Sequence, residues 1–269
     1  MTWQSTLQRA LPQQMRERLR SVVRPRIAKR AVEKAWRERA RHLSATPAGL
    51  HIHLGCGDRH YEWMLNCDYR ITRASDVAMN CSNLSIFAEQ SASAIFSHAF
   101  FEHLYRDQQL PLLRDCGRVL KKGAPLVFVG LPDFRAIADL YLKRASGIPG
   151  VGEVFDLAHV YRYTHGNPEA AHGWWLEQLH KSLFDKEYLA NLLSNADFKS
   201  WIMFNYCYLG EHWPINLGFL AWKERPSEMH KVRIPFSDVI SPEREIMVID
   251  RRNCSEDVLT ELRRTSDQA

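Results

Sequence analysis

The chain has 269 residues, of which 45% are hydrophobic and 25% charged, and its formal net charge is +5. This length predicts one domain of about 200 residues with extensions. No apolar run approaches the roughly 18 residues needed to cross a bilayer, and the N-terminus lacks the apolar core of a secretory signal. The six cysteines are scattered, without a Cys-x-x-Cys pair. They argue against a disulfide framework and favour a reducing, cytoplasmic compartment.

The positive charge is concentrated at the N-terminus. Residues 1–42 hold twelve Lys and Arg against three Glu, whereas the remainder holds 24 basic against 28 acidic residues. Apolar residues repeat there at steps of three and four, so residues 1–47 are predicted to form a basic helical arm interrupted near Pro25. The arm could pack on the main domain, or contact an anionic membrane surface. Nucleic-acid binding is disfavoured, because no basic motif interleaved with aromatic residues is present.

After a linker at residues 44–49, strand and helix patterns alternate. Short apolar runs predict strands at residues 50–54, 64–68, 75–79, 93–97, 125–130, 199–208 and 216–223. Helices are predicted at 107–120, which ends in a Lys-Lys-Gly stop, and at 186–196, which Asp185 caps. This alternation predicts an α/β fold with a doubly wound, mostly parallel sheet. It places the main domain at residues 48–226, while residues 227–269 form a C-terminal tail to which the sequence assigns no role.

The most informative segment is the turn that follows the first strand. An apolar run ends at Gly55-Cys56-Gly57, and the next strand ends in Asp68. Glycine permits positive φ and lets the backbone approach a ligand, and a carboxylate can accept hydrogen bonds from two vicinal ribose hydroxyls. A plain strand-to-helix turn with a surface acid is the alternative. Because position 60 is His and the interval to Asp68 is shorter than about 20 residues, the pattern disfavours NAD.

Six motifs occur in an order that resembles one enzyme superfamily. They are HLGCGD (53–58), WMLNCD (63–68), SHAFFEHL (97–104), RVLKKGA (118–124), GLPDF (130–134) and HKSLFDKEYLANLLSNADF (180–198). From Leu50 to about Arg225 the chain resembles class I S-adenosylmethionine-dependent methyltransferases, in particular a small bacterial group often linked to surface-polysaccharide genes. The resemblance implies a Rossmann-like, seven-stranded sheet with one of its last two strands antiparallel, and S-adenosylmethionine as cofactor.

The resemblance also implies a set of cofactor-binding residues. The backbone of the glycine turn would contact the homocysteine and ribose parts of the cofactor. This turn comprises Leu54, Gly55, Cys56 and Gly57. Asn80 would lie near the adenine amino group, where relatives usually carry Asp. Asp68 completes this set at the ribose, and Asp58 could face the methionine ammonium or cap a helix.

Residues at the end of the fourth strand are expected near the methyl group. Ligands of open α/β sheets bind beyond the carboxyl ends of the strands, so Ser97 is assigned to the cofactor site and His98 to the acceptor side. His98 could accept a proton or belong to a satisfied hydrogen-bond network. His180 matches a position at which relatives also carry His, and it is preferred as the catalytic base.

The segment 145–183 corresponds to the place where this superfamily inserts substrate-recognition elements. Tyr161, Tyr163 and His165 could stack on sugar rings or pack a lid. Asp133 could line the acceptor pocket or cap the following helix. Four histidines invite a metal interpretation, but no His-x-x-x-His or His-Glu-x-x-His motif occurs, so no metal site is predicted.

The predicted function is S-adenosylmethionine-dependent methylation, with O-methylation of a glycan, a lipid-linked sugar or a small molecule as the expected reaction. The alternative is a degenerate methyltransferase-fold protein that acts by binding a partner. Asn80 and Ala94 motivate that alternative, because relatives usually carry Asp at both positions. The arm suggests a cytoplasmic enzyme that visits the inner face of the membrane.

Overall fold

A computed structural model describes residues 33–143, 154–166, 168, 173–224, 233–241, 245–255, 257–258 and 260. The chain divides into two compact units, residues 1–42 and residues 43–269. The described part of the first unit is helical, and the helix runs from residue 33 to residue 44. Ion pairs one turn apart stabilise it, with 2.7 Å between Arg37 Nη2 and Glu33 Oε1. The rest of the predicted arm lies outside the described residues.

In the described part of the second unit, eight strands form one sheet in the order β3-β2-β1-β4-β5-β7-β6-β8. Its strands are β1 (His51–Leu54), β2 (Met64–Asp68), β3 (Val77–Ala78), β4 (Ala94–His98), β5 (Leu126–Pro132), β6 (Ser200–Tyr206), β7 (Asn216–Trp222) and β8 (Met247–Arg252). Strands β1 to β5 are mutually parallel, whereas β7 runs antiparallel to both β5 and β6. The α/β class with a mostly parallel sheet is confirmed.

The predicted count of seven strands is wrong, because β8 pairs antiparallel with β6 at the edge of the sheet. Its residues alternate poorly between apolar and polar, and they are exposed or half-buried. An exposed edge strand has no buried face to leave a period of two in its sequence. Sequence patterning therefore could not reveal β8.

Four helices support the sheet within the described residues: α1 (Arg106–Val119), α2 (Phe134–Leu142), α3 (Leu157–His165) and α4 (Lys186–Asn195). The structure confirms the predicted helices at 107–120 and 186–196 to within one residue at each end. The Asp185 side chain accepts a hydrogen bond from the backbone N–H of Tyr188, as expected for the cap of α4. Helix α1 packs against α4, and α2 packs against α3.

The hydrophobic core covers both faces of the sheet. On one face, α1 and α4 lie beside a group of aromatic rings. The ring centroid of Phe101 lies 5.2 Å from that of Phe128 and 5.3 Å from that of Phe184. On the opposite face, residues 233–241 of the C-terminal segment pack on the strands. Ile234 and Phe236 are fully buried there in a cluster with residues of β4, β5, β6 and β7. The C-terminal segment, to which the sequence assigns no role, thus supplies part of the core.

The strand order reverses between β1 and β4. From β1 the chain proceeds outward to β2 and β3, and it then returns to β4 on the other side of β1. Neighbouring connections leave such a point in opposite directions and open a crevice beyond the carboxyl ends of the strands, where ligands bind in open α/β sheets. The residues that follow Leu54 and His98 therefore flank the expected ligand crevice.

Two histidines of β1 make the fold sensitive to acid. Burial lowers the pKa of His51 and of His53 from 6.5 to about 4. Between these values the unfolded chain binds protons that the folded chain does not, so stability falls as the pH decreases through this window. Each histidine contributes a slope of up to about 1.4 kcal/mol per pH unit.

We predict that the free energy of unfolding of His53→Phe falls less steeply with decreasing pH than that of the wild type. The difference in slope is the contribution of one buried histidine. The measurement is the free energy of unfolding in urea at several values between about pH 5 and pH 6.5. The slope of the free energy of unfolding against pH is compared, not its absolute value. The absolute value also changes, because the variant loses the 3.2 Å contact between His53 Nδ1 and Asn66 Oδ1. The exposed His212 serves as control, since His212→Ala should keep the wild-type slope. An unchanged slope in His53→Phe would contradict the prediction.

Candidate functional site

The glycine turn after β1 is held by the end of β2. Gly55 and Gly57 have φ of +66° and +57°, a region that favours glycine. The backbone N–H of Gly57 donates to Asp68 Oδ2 at 2.8 Å, and the N–H of Arg70 donates to Oδ1 of the same carboxylate at 2.8 Å. Each carboxylate oxygen keeps a second lone pair for a ligand. Asp68 therefore orders the turn and remains able to accept hydrogen bonds from a bound molecule.

The connection from β1 to β2 contains no helix. Residues 55–63 form turns and extended backbone between the two parallel strands, although such crossovers usually include a helix. No helix N-terminus is therefore available at the glycine turn. Dinucleotide-binding folds place a pyrophosphate at that N-terminus, so this turn is poorly suited to a phosphate group.

A cavity of about 980 Å³ opens beside the turn. This volume lies at the upper end of the range typical of small-molecule sites. The described residues that line it are His53, Gly55, Cys56, Gly57, Asp58, Arg59, Asp68, Tyr69, Arg70, Asn80, Cys81, Ser82, His98, Ala99, Phe100, His103, Leu104, Tyr105, Gln108, Glu177, Gln178, Lys181 and Tyr208. The ends of β1, β2 and β4 thus contribute to one cavity at the point where the strand order reverses.

Asn80 lines the cavity, and one of the two polar atoms of its side-chain amide is already hydrogen-bonded within the protein. Its Oδ1 accepts hydrogen bonds from the backbone N–H of Ser82 at 3.0 Å and from the Ser82 hydroxyl at 2.7 Å. Because a backbone N–H can only donate, Oδ1 is the atom on the Ser82 side. The Nδ2 group is then the part of the amide that can serve a ligand, as a donor. It suits a ring nitrogen of adenine better than the amino group that the family resemblance implies.

His98, Arg59 and Tyr208 form a cluster at one wall of the cavity. The His98 ring stacks on Tyr208 with 5.2 Å between centroids, and Arg59 Nη2 donates to the Tyr208 hydroxyl. Arg59 Nη1 lies 3.4 Å from His98 Nδ1. Since a guanidinium only donates, the neutral His98 ring carries its proton on Nε2. Burial, followed by the charge of Arg59, lowers the pKa of His98 to about 3, so the ring offers a ligand a neutral N–H.

The structure places two predicted cofactor residues beneath the cavity. The side chain of Leu54 is fully buried in the sheet. The hydroxyl of Ser97 donates to the Leu54 carbonyl at 2.9 Å and is buried as well. Neither residue is among the described residues that line the cavity. The hydroxyl of Ser97 thus ties β4 to β1, and the assignment of Ser97 to the cofactor stays a prediction.

Four residues predicted at the substrate also lie apart from the described cavity lining. Asp133 caps α2 by accepting from the N–H of Arg135 at 2.9 Å, and its other oxygen accepts from Asn205. Of the two interpretations of Asp133, the helix cap is the one that the structure supports. The other three residues lie on α3, where the Tyr163 hydroxyl donates to Glu211 and Tyr161 packs on His165.

His180, predicted as the base, lies behind His103. The two rings contact each other with 5.3 Å between centroids, but only His103 is among the described residues that line the cavity. Glu102, next to His103, is fully buried, and burial raises the pKa of its carboxyl to about 8. Burial also lowers the pKa of His103 to about 4 and that of His180 below its usual value. The three side chains form a compact polar cluster beside the cavity.

Sequence reasoning missed several residues of the site. Arg59 directly follows the glycine turn, and its position alone could have marked it as a candidate anion ligand. Tyr208 and Lys181 gave no signal, because they reach the cavity only through the tertiary fold. Tyr208 is fixed by a bridge to Ile240 in the C-terminal segment, a contact that no local pattern indicates.

Comparisons with known proteins find solved methyltransferase structures to which the chain is similar at low identity. No protein-family model and no curated protein matches the sequence. Structures of S-adenosylmethionine-dependent methyltransferases that resemble the chain include one from Methanosarcina mazei (16% identity, TM-score 0.45, covering 68% of this chain and 95% of the other). Others come from Archaeoglobus fulgidus (13%, 0.44, 71% and 94%) and Mesorhizobium loti (14%, 0.43, 71% and 99%). Such identities and TM-scores carry no information about activity, so the chemistry has to be inferred from the cavity itself.

The two glycines of the turn allow a matched test of its geometry. Alanine at either position would adopt positive φ, which costs about 1–2 kcal/mol. A Cβ at Gly55 would lie 2.7 Å from Phe100 Cβ, whereas a Cβ at Gly57 would meet nothing within 4 Å. We predict that Gly55→Ala destabilises the fold by at least about 1 kcal/mol more than Gly57→Ala, because overpacking adds to the strain. Urea denaturation of both variants measures the difference, and equal losses would contradict the turn geometry.

Proposed function

We propose that the chain is an S-adenosylmethionine-dependent methyltransferase. The observation that carries this proposal is the Gly55–Gly57 turn, hydrogen-bonded to Asp68, at the crevice where the strand order reverses, with no helix N-terminus beside it. A carboxylate at this place suits a ribose diol. The absence of a helix from the described residues 55–63 disfavours a pyrophosphate. S-adenosylmethionine carries a ribose and no phosphate, so its chemistry fits both features.

The cavity offers a complementary group to each part of this cofactor. Asp68 would accept hydrogen bonds from the ribose hydroxyls, and Asn80 Nδ2 would donate to a ring nitrogen of the adenine. Gly57 opens on the cavity and leaves room for the ligand next to the backbone. At the other end, Arg59 would pair with the methionine carboxylate, and Asp58 would pair with the ammonium group.

The reaction is an in-line transfer of the methyl group from sulfonium to an acceptor. The carbon–sulfur bond breaks with its electron pair going to sulfur, while an acceptor lone pair forms the new bond to carbon. A hydroxyl acceptor loses its proton in this step to a base or to water. The protein would contribute mainly by positioning the two reactants. The cavity rim carries Tyr105, Gln108, Glu177 and Lys181, a combination of one aromatic plane with several hydrogen-bonding groups. Such a rim suits a sugar, so we propose O-methylation of a glycan, a lipid-linked sugar or a related small molecule.

His98 would contact the acceptor as a hydrogen-bond donor. Its proton lies on Nε2, and burial together with the charge of Arg59 holds its pKa low, so His98 is poorly placed to remove a proton at neutral pH. The alternative role in a satisfied hydrogen-bond network is the one that the Arg59 and Tyr208 contacts support. A base role for His180 stays a prediction. His180 would act on an acceptor only through His103 or through a ligand that both residues share.

Partner binding without catalysis is the competing hypothesis, and Ala94 no longer motivates it. Ala94 is fully buried at the start of β4 and pairs with His51, at the end of the strand opposite to the cavity. Its replacement of Asp therefore leaves the ligand crevice unchanged. Asn80 keeps a donor on the cavity side, so both substitutions are compatible with cofactor binding.

We predict that the protein binds S-adenosylhomocysteine and that Asp68→Ala weakens binding by about 1.5–3 kcal/mol, as expected for lost hydrogen bonds to a charged group. Isothermal titration calorimetry measures the affinity, with NAD as the competing ligand. Asp107→Ala provides a matched control, because this acid is exposed on α1 and should leave the affinity unchanged. Binding of NAD instead, or an unaffected Asp68→Ala variant, would refute the assignment of the turn.

The basic N-terminal segment is the basis of a separate proposal about location. Residues 1–42 carry a net charge of +9 by formal count, against −4 for the remaining residues. Each basic residue near an anionic membrane contributes about 1 kcal/mol of binding free energy. No helix among the described residues is long and apolar enough to span a bilayer. We propose that residues 1–42 recruit the enzyme to the inner face of the cytoplasmic membrane, where lipid-linked glycans are assembled.

Co-sedimentation with vesicles tests this location. We predict that the full chain binds anionic vesicles at low salt and is released at high salt, whereas a variant lacking residues 1–42 stays in solution and still binds S-adenosylhomocysteine. Neutral vesicles are the control. A full chain that ignores anionic vesicles at low salt, or a truncated variant that precipitates, would instead support a helix packed on the main domain.

A further inference from the structure

Beside the cavity, three potential metal ligands converge, and of these only His180 has a predicted role of its own in the methyl transfer. One carboxylate oxygen of Glu102 and one ring nitrogen each of His103 and His180 all lie within 4.8 Å of one another. Glu102 and His103 belong to the short 3-10 helix Phe101–His103 after β4. His180 comes from the loop before α4. The backbone N–H groups of Lys181 and Ser182 donate to the Glu102 carbonyl, so the two segments are held together independently of the side chains.

The hydrogen bonds of the two histidines fix which nitrogen carries a lone pair. His180 Nδ1 lies 2.8 Å from the Tyr163 carbonyl, and His103 Nδ1 lies 3.2 Å from the Leu179 carbonyl. A carbonyl only accepts, so both Nδ1 atoms carry hydrogen, and both Nε2 atoms present lone pairs. Metal-binding histidines are commonly oriented by this kind of contact between the other ring nitrogen and a carbonyl.

Glu102 adds a third acceptor without a protein donor to satisfy it. Its Oε1 lies 3.5 Å from His103 Nε2, and among the described residues its Oε2 is buried without a hydrogen-bond partner. Leaving a buried carboxyl oxygen unsatisfied is costly. A divalent cation would displace the proton of this buried carboxyl and bring the resulting carboxylate together with the two imidazole lone pairs.

We propose that Glu102, His103 and His180 bind one divalent transition-metal ion of the zinc type. Two imidazole nitrogens and one carboxylate oxygen are a ligand set that zinc accepts, whereas Mg²⁺ and Ca²⁺ prefer oxygen ligands. Zinc holds such ligands at about 2.0–2.2 Å, so the three side chains would move together by roughly 1 Å on binding. His103 lines the cavity, so a fourth coordination position would be open to a molecule bound there.

A positive charge close to this site is partly compensated. Lys181 directly follows His180 in the chain, and its ammonium group would repel a bound cation. However, Lys181 Nζ is paired with Glu177 Oε2 at 3.1 Å. Glu102 would then neutralise one charge of the metal ion itself. The site is independent of the cofactor, so it can be tested whether or not the methyl-transfer proposal holds.

The test is zinc binding by the full chain after treatment with a chelator. We expect one tight Zn²⁺ site by calorimetry and no competition by Mg²⁺, with visible absorption bands when Co²⁺ replaces zinc. In His103→Asn and His180→Asn, the amide can still donate to the Leu179 and Tyr163 carbonyls while the Nε2 ligand is lost. Loss of a group that only hydrogen-bonds to a metal ligand typically lowers metal affinity roughly 10–100-fold. Each variant loses a ligand itself, so its zinc affinity should fall by more than that. Glu102→Gln should weaken it similarly, and the exposed His212→Ala should not.

Unchanged affinity in all three variants, or no zinc binding by the wild type, would overturn the proposal and leave a proton shared between Glu102 and His103 as the explanation of the cluster. X-ray absorption of the zinc-loaded wild type guards against variants that fail to fold. Nitrogen and oxygen neighbours at about 2.0–2.2 Å support the site, whereas sulfur neighbours at about 2.3 Å would assign the zinc to cysteines and refute it.

Discussion

The hydrogen bond between the Gly57 N–H and Asp68 is the interaction on which the candidate site depends. It joins the end of β1 to the end of β2, in a crossover that lacks the usual helix. A helix would order such a turn through its own N-terminal geometry. Here the buried Asp68 carboxylate does so together with the hydrogen bond from the Cys56 N–H to the Cys67 carbonyl, and the same carboxylate faces the cavity. Structure and ligand recognition therefore share one side chain, and ligand affinity and local stability are coupled there.

The fold was largely accessible from the sequence, because buried parallel strands and amphipathic helices leave strong periodic signals. Strand β2 and helix α4 begin at the predicted residues, and the glycine turn was recognised with the acid that orders it. Strand β8 was missed because an exposed edge strand has no buried face. The packing of Phe236 on the sheet was missed for a related reason, since isolated apolar residues in an irregular segment show no period.

The site was predicted only in part, and the failures have a common cause. Residues adjacent in sequence to a strand end, such as Gly57 and His98, were placed correctly at the cavity. Ser97 and Asp133 also lie at strand ends, but the hydrogen bonds of their side chains go to backbone groups of the sheet and of α2, which for Asp133 is the helix cap that the sequence offers as one of two interpretations. Polarity at a strand end does not reveal which partner a side chain has. Likewise, metal motifs defined by local spacing could not detect Glu102 and His103 meeting His180, which lies far away in sequence.

The contribution of the C-terminal segment to the cavity wall bears on the order in which the protein matures during synthesis. Arg59 contacts the carbonyl of Asp238, and Tyr208 is bridged to Ile240. A nascent chain that has emerged only as far as β7 could pair most of its sheet while the Arg59–Tyr208 wall still lacked its support. Ligand recognition would then be acquired late, after the strands that define the crevice are already in place.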